Sequence, residues 1–152
     1  PNPDQFLKEA FRILRPGGNL AFTVWRTSDD PSAFGIILNA LSTHGSFDVG
    51  LPQGPDFFQF ADPDYCQKRL EHCGFEQIAS TSLQLIWELE DPDDLCEAIT
   101  QATVRTAAII RHQSEDAQNA IMADVRTKVR AFADHGRFLV PMPVSLCRAS
   151  RT

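Results

Sequence analysis

The chain has 152 residues, 43% of them apolar and 9% aromatic, enough for one packed core and short for two ordinary domains. Twenty acids against 14 bases leave a formal charge of −6 with no basic tract to neutralise a row of phosphates, so nucleic acid is not an expected partner. No apolar run reaches the roughly 18 residues of a membrane span, no charged-then-apolar leader is visible, and Cys66, Cys73, Cys96 and Cys147 form neither a CxxC pair nor a close Cys/His cluster for zinc. The expectation is a soluble, cytoplasmic protein with reduced, buried thiols and no metal.

Asn2 can cap a helix, Pro3 suits its first turn, and Gln5 stands where a capping partner reaches back. Phe6, Leu7, Ala10, Phe11 and Leu14 then recur at helical spacing, opposite Lys8, Glu9, Arg12 and Arg15. Pro16 ends the helix, and Gly17-Gly18 turn the chain into the apolar run Asn19–Trp25, read as a buried parallel strand. Asp30-Pro31 signals a second helix with Phe34, Ile37, Leu38 and Leu41 as its stripe, ending near Gly45. Residues 45–60 mix Gly45, Gly50, Pro52, Gly54 and Pro55 with four phenylalanines, a long loop with a heavy apolar load of the kind that covers sites.

Asp62-Pro63 opens a third helix, with Cys66, Leu70 and Cys73 on one face and Gly74 as its left-handed stop. From Gln77 the period becomes two, with Leu83, Leu85, Trp87 and Leu89 on one face of a strand. Asp91-Pro92-Asp93-Asp94 opens a fourth helix with the stripe Leu95, Ala98, Ile99, Ala102, Thr106 and Ile109, its acids at the positive end of the dipole. Ser114 opens a fifth, with Ala117, Ile121, Val125, Val129 and Phe132, ending at Gly136. Residues 138–151 are β-rich, but Pro141 and Pro143 leave Val144–Ser150 as the last strand.

The segment Glu9-Ala10-Phe11-Arg12-Ile13-Leu14-Arg15-Pro16-Gly17-Gly18, leaving a helix and entering a strand, resembles the approach to the fifth strand of class I (Rossmann-like) S-adenosylmethionine-dependent methyltransferases. Ala61-Asp62-Pro63 before a helix and Glu71-His72-Cys73-Gly74-Phe75 at its end resemble the helix before that family's sixth strand, with Cys73 where alanine is commonest. Small-molecule enzymes of the ubiquinone and menaquinone biosynthesis type are the most similar. The resemblance implies an α/β fold: a partial Rossmann-like sheet of the family's fifth to seventh strands, two parallel strands flanking a final antiparallel one, with helices on both faces. It implies that residues 1–152 are the C-terminal part of a methyltransferase domain, with 91–136 as a helical insertion or lid. A start at Pro1 directly before a helix suits a fragment, and equally a chain whose initiator Met has been removed.

The family's glycine-rich turn after its first strand has no counterpart here, so S-adenosylmethionine is expected as the cofactor of the full-length parent, with no cofactor-binding residue in this chain. Methyl transfer needs placement in a dry pocket more than a fixed triad, so no catalytic residue is assigned. Ligands of doubly wound sheets sit beyond strand carboxyl ends, which makes Trp25 a candidate acceptor-site residue, although the position also suits a core tryptophan. Phe57, Phe58 and Phe60 could close over a flat apolar substrate or pin down their own loop. Arg105 and His112, seven apart on a helix, could point into a pocket from a lid or simply face solvent, while His44 and His135 are read as helix-end residues. The functional expectation is methyl transfer to a small apolar or aromatic acceptor. Its rival is a non-catalytic interaction module that keeps the helix-rich C-terminal part for self-association. On either reading the chain is expected to associate as a homo-oligomer, through the exposed strand edge Asn19–Trp25 or by exchange of the first helix.

Overall fold

The structure is a computed structural model that describes residues 2–26, 31–52, 54 and 56–152. In chain order its elements are α1 (Pro3–Ile13), β1 (Asn19–Trp25), α2 (Ala33–His44), a 3-10 turn (Gln59–Ala61), α3 (Pro63–His72), β2 (Glu76–Leu83), β3 (Ile86–Leu89), α4 (Pro92–Ala102), α5 (Arg105–Arg111), α6 (Glu115–Arg130), β4 (Ala133–Asp134), β5 (Arg137–Pro141) and β6 (Val144–Ser150). Where length suggested a single core, the chain folds into two units, each with its own apolar cluster. The first takes Pro1–Arg26, Gly54–Gln84 and Pro143–Thr152; the second takes Thr27–Gln53 and Leu85–Met142.

In the first unit β6 lies between β1 and β2 and runs antiparallel to both, with Cys147 opposite Phe22 on one side and Ser80 on the other. Strands β1 and β2 therefore run the same way, flanking the final antiparallel strand. Asn2 caps α1, its Oδ1 accepting from the Asp4 amide at 3.1 Å, and Leu7 is buried beneath the helix. Phe6, expected in the buried stripe, is instead 63% exposed. Leu7, Cys66, Leu70, Phe75, Cys147 and Ala149 form the cluster between helices and sheet, and Phe11 meets the Phe75 ring edge to face at 5.1 Å.

The expectation of a β1 covered on both faces is corrected. Its directly paired neighbour is antiparallel, and half-buried Leu20, Phe22 and Val24 alternate with exposed Ala21, Thr23 and Trp25. Near the start of β2 a bulge between Glu76 and Ala79 puts Gln77 at φ 50. The single strand expected from Gln77 onward is two strands in two sheets: β2 ends at Leu83, and β3 pairs with β5 in the second unit. Period-two alternation continues across the break, which is why the sequence hid it. Leu89 is buried and Leu85, at the break, is 46% exposed.

In the second unit α2, α4, α5 and α6 pack with the sheet β3-β5-β4 around Ile37, Leu41, Leu95, Ile121, Val125, Val129 and Val140. Helix α2 is capped by buried Ser32, whose Oγ accepts from the Gly35 amide at 3.1 Å; Asp30, expected in that role, lies outside the described residues. The stripe read as one helix from Leu95 to Ile109 is broken into α4 and α5 by Thr103. Its hydroxyl donates to the Ile99 carbonyl at 2.7 Å and accepts from the Ala107 amide at 3.1 Å, serving the end of one helix and the start of the next. Ser114 caps α6 as its sequence suggests, but the helix stops at Arg130 rather than Gly136. His135 and Gly136, at φ 43 and 84, make the two-residue turn between β4 and β5, so His135 marks a hairpin and not a helix end. His44 does end α2, where its Nε2 lies 3.4 Å from Asp124 Oδ2.

Gly74 and Gly136 both hold positive φ, but only at Gly74 would a Cβ meet a neighbour, the Phe11 ring at 3.1 Å; at Gly136 the space is open. Gly136→Ala is expected to cost about 1 kcal/mol, and Gly74→Ala at least about 1 kcal/mol more, because ring displacement adds to backbone strain. Urea unfolding of the two variants checks the order, and equal midpoints would contradict it.

Candidate functional site

The aromatic segment is held by its own short-range bonds. Asp56 Oδ1 accepts from the Phe58 amide at 2.9 Å, the Phe58 carbonyl accepts from the Ala61 amide at 2.8 Å, and Asp62 Oδ1 accepts from the Asp64 amide at 3.0 Å to start α3. Pro63 follows at the first helical position, where its missing N–H costs nothing. A loop rich in proline and aspartate is thereby converted into an ordered ledge at the N-terminus of α3.

On that ledge the three phenylalanines part company. Phe57 and Phe58 meet edge to face at 5.0 Å, and Phe57 is 65% exposed. Phe60 sits between Phe22 at 6.0 Å and Tyr65 at 5.4 Å, again edge to face. Tyr65 donates to Gln59 Oε1 at 2.7 Å, and the Arg69 guanidinium lies 5.6 Å from its ring centroid. Phe60 also lines an open apolar hollow of about 170 Å³ shared with Pro3, Phe6, Leu7, Phe22 and Val24. That is below the roughly 300 Å³ at which drug-sized ligand sites begin, and it suits a ring or a short alkyl group.

Trp25 ends β1, 37% exposed, with the amide of the next residue, Arg26, donating to the Pro143 carbonyl at 3.1 Å. Side chains alternate across a strand, so Trp25 points away from the face that carries Phe22 and Val24. The structure therefore brings Phe60 together with β1 and α1, and leaves Trp25 on the other side of the same strand.

Arg105 and His112 belong to the second unit, at the two ends of α5. Arg105 Nη1 donates to the Pro52 carbonyl at 2.7 Å, and His112 closes the helix with Nδ1 2.8 Å from the Ala108 carbonyl. Each has a partner in its own unit. Gln113, which the sequence did not single out, ties the start of the long loop: its Oε1 accepts from the Ser46 amide at 3.0 Å and its Nε2 donates to the Ser46 carbonyl at 2.8 Å.

Phe6 and Phe22 have the spacing of an ordinary helix stripe and strand, which does not mark them as site residues, whereas Val24 belongs with Trp25 and Arg26 to the strand end expected to face an acceptor. The one available signal was the size of Phe6 on a helix whose other apolar residues already suffice to cover the sheet. Among the described residues no group of His, Cys, Asp and Glu could hold a metal ion, and no carboxylate or imidazole lines the hollow. The arrangement can bind and desolvate an apolar group; by itself it supplies no acid, base or nucleophile.

No family model and no curated protein matches the chain. Among solved structures it is similar to a crystal structure from Bacillus halodurans C-125 provisionally described as a methyltransferase, with 20% identity and a TM-score of 0.42 over 99% of this chain and 58% of that one. The chain thus spans a little over half the length of that protein.

Because Phe60 is wedged between Phe22 and Tyr65 while Phe57 is mostly exposed, Phe60→Ala is expected to cost about 1–3 kcal/mol of stability and Phe57→Ala no more than about 0.5 kcal/mol. Denaturant unfolding measures both. A large loss for Phe57→Ala would make it a packing residue rather than a contact surface.

Proposed function

We propose that this chain is the acceptor-side part of a class I methyltransferase, whose full-length form transfers a methyl group from S-adenosylmethionine to a small apolar or aromatic molecule. The observation that carries the reading is the sheet: an antiparallel last strand inserted between two parallel ones, as the seventh strand lies between the fifth and sixth in that family. Two sequence features support it. Glu9 to Gly18 forms the end of a helix and the turn into β1, and Cys73-Gly74-Phe75 ends α3 just before β2; the stretch 91–136, expected as a helical insertion or lid, falls within Leu85–Met142, which carries three helices and also β3, β4 and β5.

The residues of this chain do not fit the cofactor. Its binding requires a glycine-rich strand-to-helix turn and an acidic residue for the ribose hydroxyls, whereas the hollow here is wholly apolar and the glycines lack that spacing. No step is therefore assigned to the cofactor within these residues. Their part would be to receive the acceptor's apolar body and exclude water, with Phe57, Phe58 and Phe60 as the candidate surface and Trp25 as a separate candidate on the opposite face of β1.

A second reading, self-association, rests on one observation. Among the described residues no strand other than β6 pairs with β1, so no strand covers its outer edge, and no proline in the strand blocks another chain.

Calorimetric titration of the 152-residue chain with S-adenosylmethionine is expected to give no binding in the micromolar range, and micromolar affinity would contradict the assignment of the cofactor site elsewhere. The parent reading is tested by the coding sequence upstream of Pro1. It should encode a glycine-rich turn after a strand with an acidic residue about 20 positions on, and a different upstream sequence would remove the methyltransferase reading. For self-association, light scattering at tens of micromolar should show a dimer that Thr23→Lys on the edge strand weakens. A monomer under those conditions would remove the second reading.

A further inference from the structure

Cys66 and Cys147 lie in the centre of the first unit with their sulfurs 3.2 Å apart, and both are buried, at 1% and 0% exposure. Cys66 comes from the first turns of α3, just after the Asp62 cap; Cys147 is the middle residue of β6, between Phe22 and Ser80. A sulfur separation of 3.2 Å is about 1.2 Å longer than the roughly 2.05 Å of a disulfide, so bond formation requires only a small approach of helix to strand. Cysteines 73 and 96 are placed differently. Cys73 Sγ has the Asp4 carbonyl at 3.9 Å, Cys96 Sγ has the Met122 carbonyl at 3.8 Å, and burial pushes both thiols up.

We propose that Cys66 and Cys147 are a latent disulfide, oxidised by a small hydroperoxide to a covalent tie between α3 and the central strand of its sheet. The chemistry closes in two displacements. The Cys147 thiolate attacks one peroxide oxygen; an S–O bond forms, the O–O bond breaks, and the departing hydroxide leaves as water with a proton. The Cys66 thiolate, having released its proton, then attacks the Cys147 sulfur of the sulfenic acid; the S–S bond forms, the S–O bond breaks, and a second water leaves. The two thiols give up two electrons, and one hydrogen peroxide becomes two waters.

The surroundings assign the order of the steps. Cys66 donates to Cys147 Sγ, and the Ser80 hydroxyl lies 3.8 Å from the same sulfur. The bond from Cys66 holds the Cys147 thiol down, to about 7, with burial opposing and Ser80 assisting, while the same contact and burial push Cys66 up. The Ser80 hydroxyl, a polar neighbour beside Cys147 Sγ in addition to Cys66, makes Cys147 the nucleophile in this scheme and Cys66 the resolving thiol. Burial would select the oxidant by size, favouring hydrogen peroxide, with two heavy atoms, over a bulky peptide disulfide.

The bond would join positions 81 residues apart, and the segment Leu85–Met142 of the second unit lies within that covalent loop. The first unit would then stay closed when the inserted segment is cut or unfolded, and the aromatic ledge before α3 would be fixed to the sheet. None of this depends on the chain being a methyltransferase.

The test treats the full chain with hydrogen peroxide, blocks free thiols with iodoacetamide in denaturant, and maps the peptides by mass spectrometry. The expected result is a single linked pair, Cys66–Cys147, two hydrogens lighter than the reduced peptides, with Cys73 and Cys96 alkylated. The oxidised chain should unfold about 5 °C or more higher than the reduced one, the difference disappearing with dithiothreitol. After cleavage between 85 and 142 its pieces should stay together on a non-reducing gel. A Cys66→Ser variant should let dimedone trap a sulfenic acid at Cys147. Alkylation of both Cys66 and Cys147 after peroxide, or a different or mixed set of cysteine pairs, would overturn the proposal in the unmodified chain, whether or not the variant folds.

Discussion

The first unit is closed by one side chain. Arg151 Nη1 donates to the carbonyls of Phe11, Arg12 and Leu14 at 2.7, 3.0 and 2.6 Å, and the guanidinium stacks over the Phe11 ring at 4.8 Å. The last carbonyls of a helix lack intrahelical partners and carry the negative end of its dipole, so a cation there serves both needs at once. Charge-assisted bonds of this kind contribute about 1.5–3 kcal/mol each when isolated, less when they share one group. The backbone of Arg151 completes the closure: its carbonyl accepts from the Gly17 amide at 2.6 Å, and its amide donates to the Gly18 carbonyl at 2.8 Å. The Pro-Gly-Gly turn that reads as a local stop signal is therefore held by the far end of the chain.

That closure fixes the sheet register. With Gly18 bonded to Arg151, the next pair is Asn19 opposite Ser150, and the ladder runs from there to Trp25 opposite Val144. Glycine is required at position 18 for a further reason, since a Cβ would approach the Arg15 carbonyl to 2.8 Å. A sequence position that reads as flexible is in fact the tightest point of the turn.

Local signals were legible and long-range ones were not. The caps Asn2, Asp62, Asp91 and Ser114, and the last strand Val144–Ser150, could be read because each is a contest between a residue and its own backbone neighbours. Thr103 escaped notice because a threonine inside an apolar stripe looks like ordinary helix until its hydroxyl bonds both ways. The switch of sheets between Leu83 and Ile86 was invisible since the alternation does not change phase there, and only the partner does. Of the candidate site, the ledge of phenylalanines was legible from composition and Phe6 was not, because its exposure depends on how α1 lies on the sheet; outside the site, Arg151 and Gln113 were not legible either, because each acts on residues distant in sequence.

Strand β1 shows why pocket residues cannot be gathered by type alone. Trp25 and Phe60 are both large aromatics near a strand end, and reading them together makes a single binding site. The alternation of the strand separates them: Phe22 and Val24 face α1 and Phe60, while Ala21, Thr23 and Trp25 face the other way. An apolar group held in the small hollow by Phe60 and Phe6 would lie on the face away from Trp25. The two faces therefore correspond to different chemistry. The hollow under α1 can take a ring-sized apolar group, and the Trp25 face belongs to a strand with no strand neighbour but β6 among the described residues, which suits it to further strands or helices. The aromatic ledge and α1 back the sheet on one side, so a group seated in the hollow and one resting against Trp25 would be held apart by the strand itself.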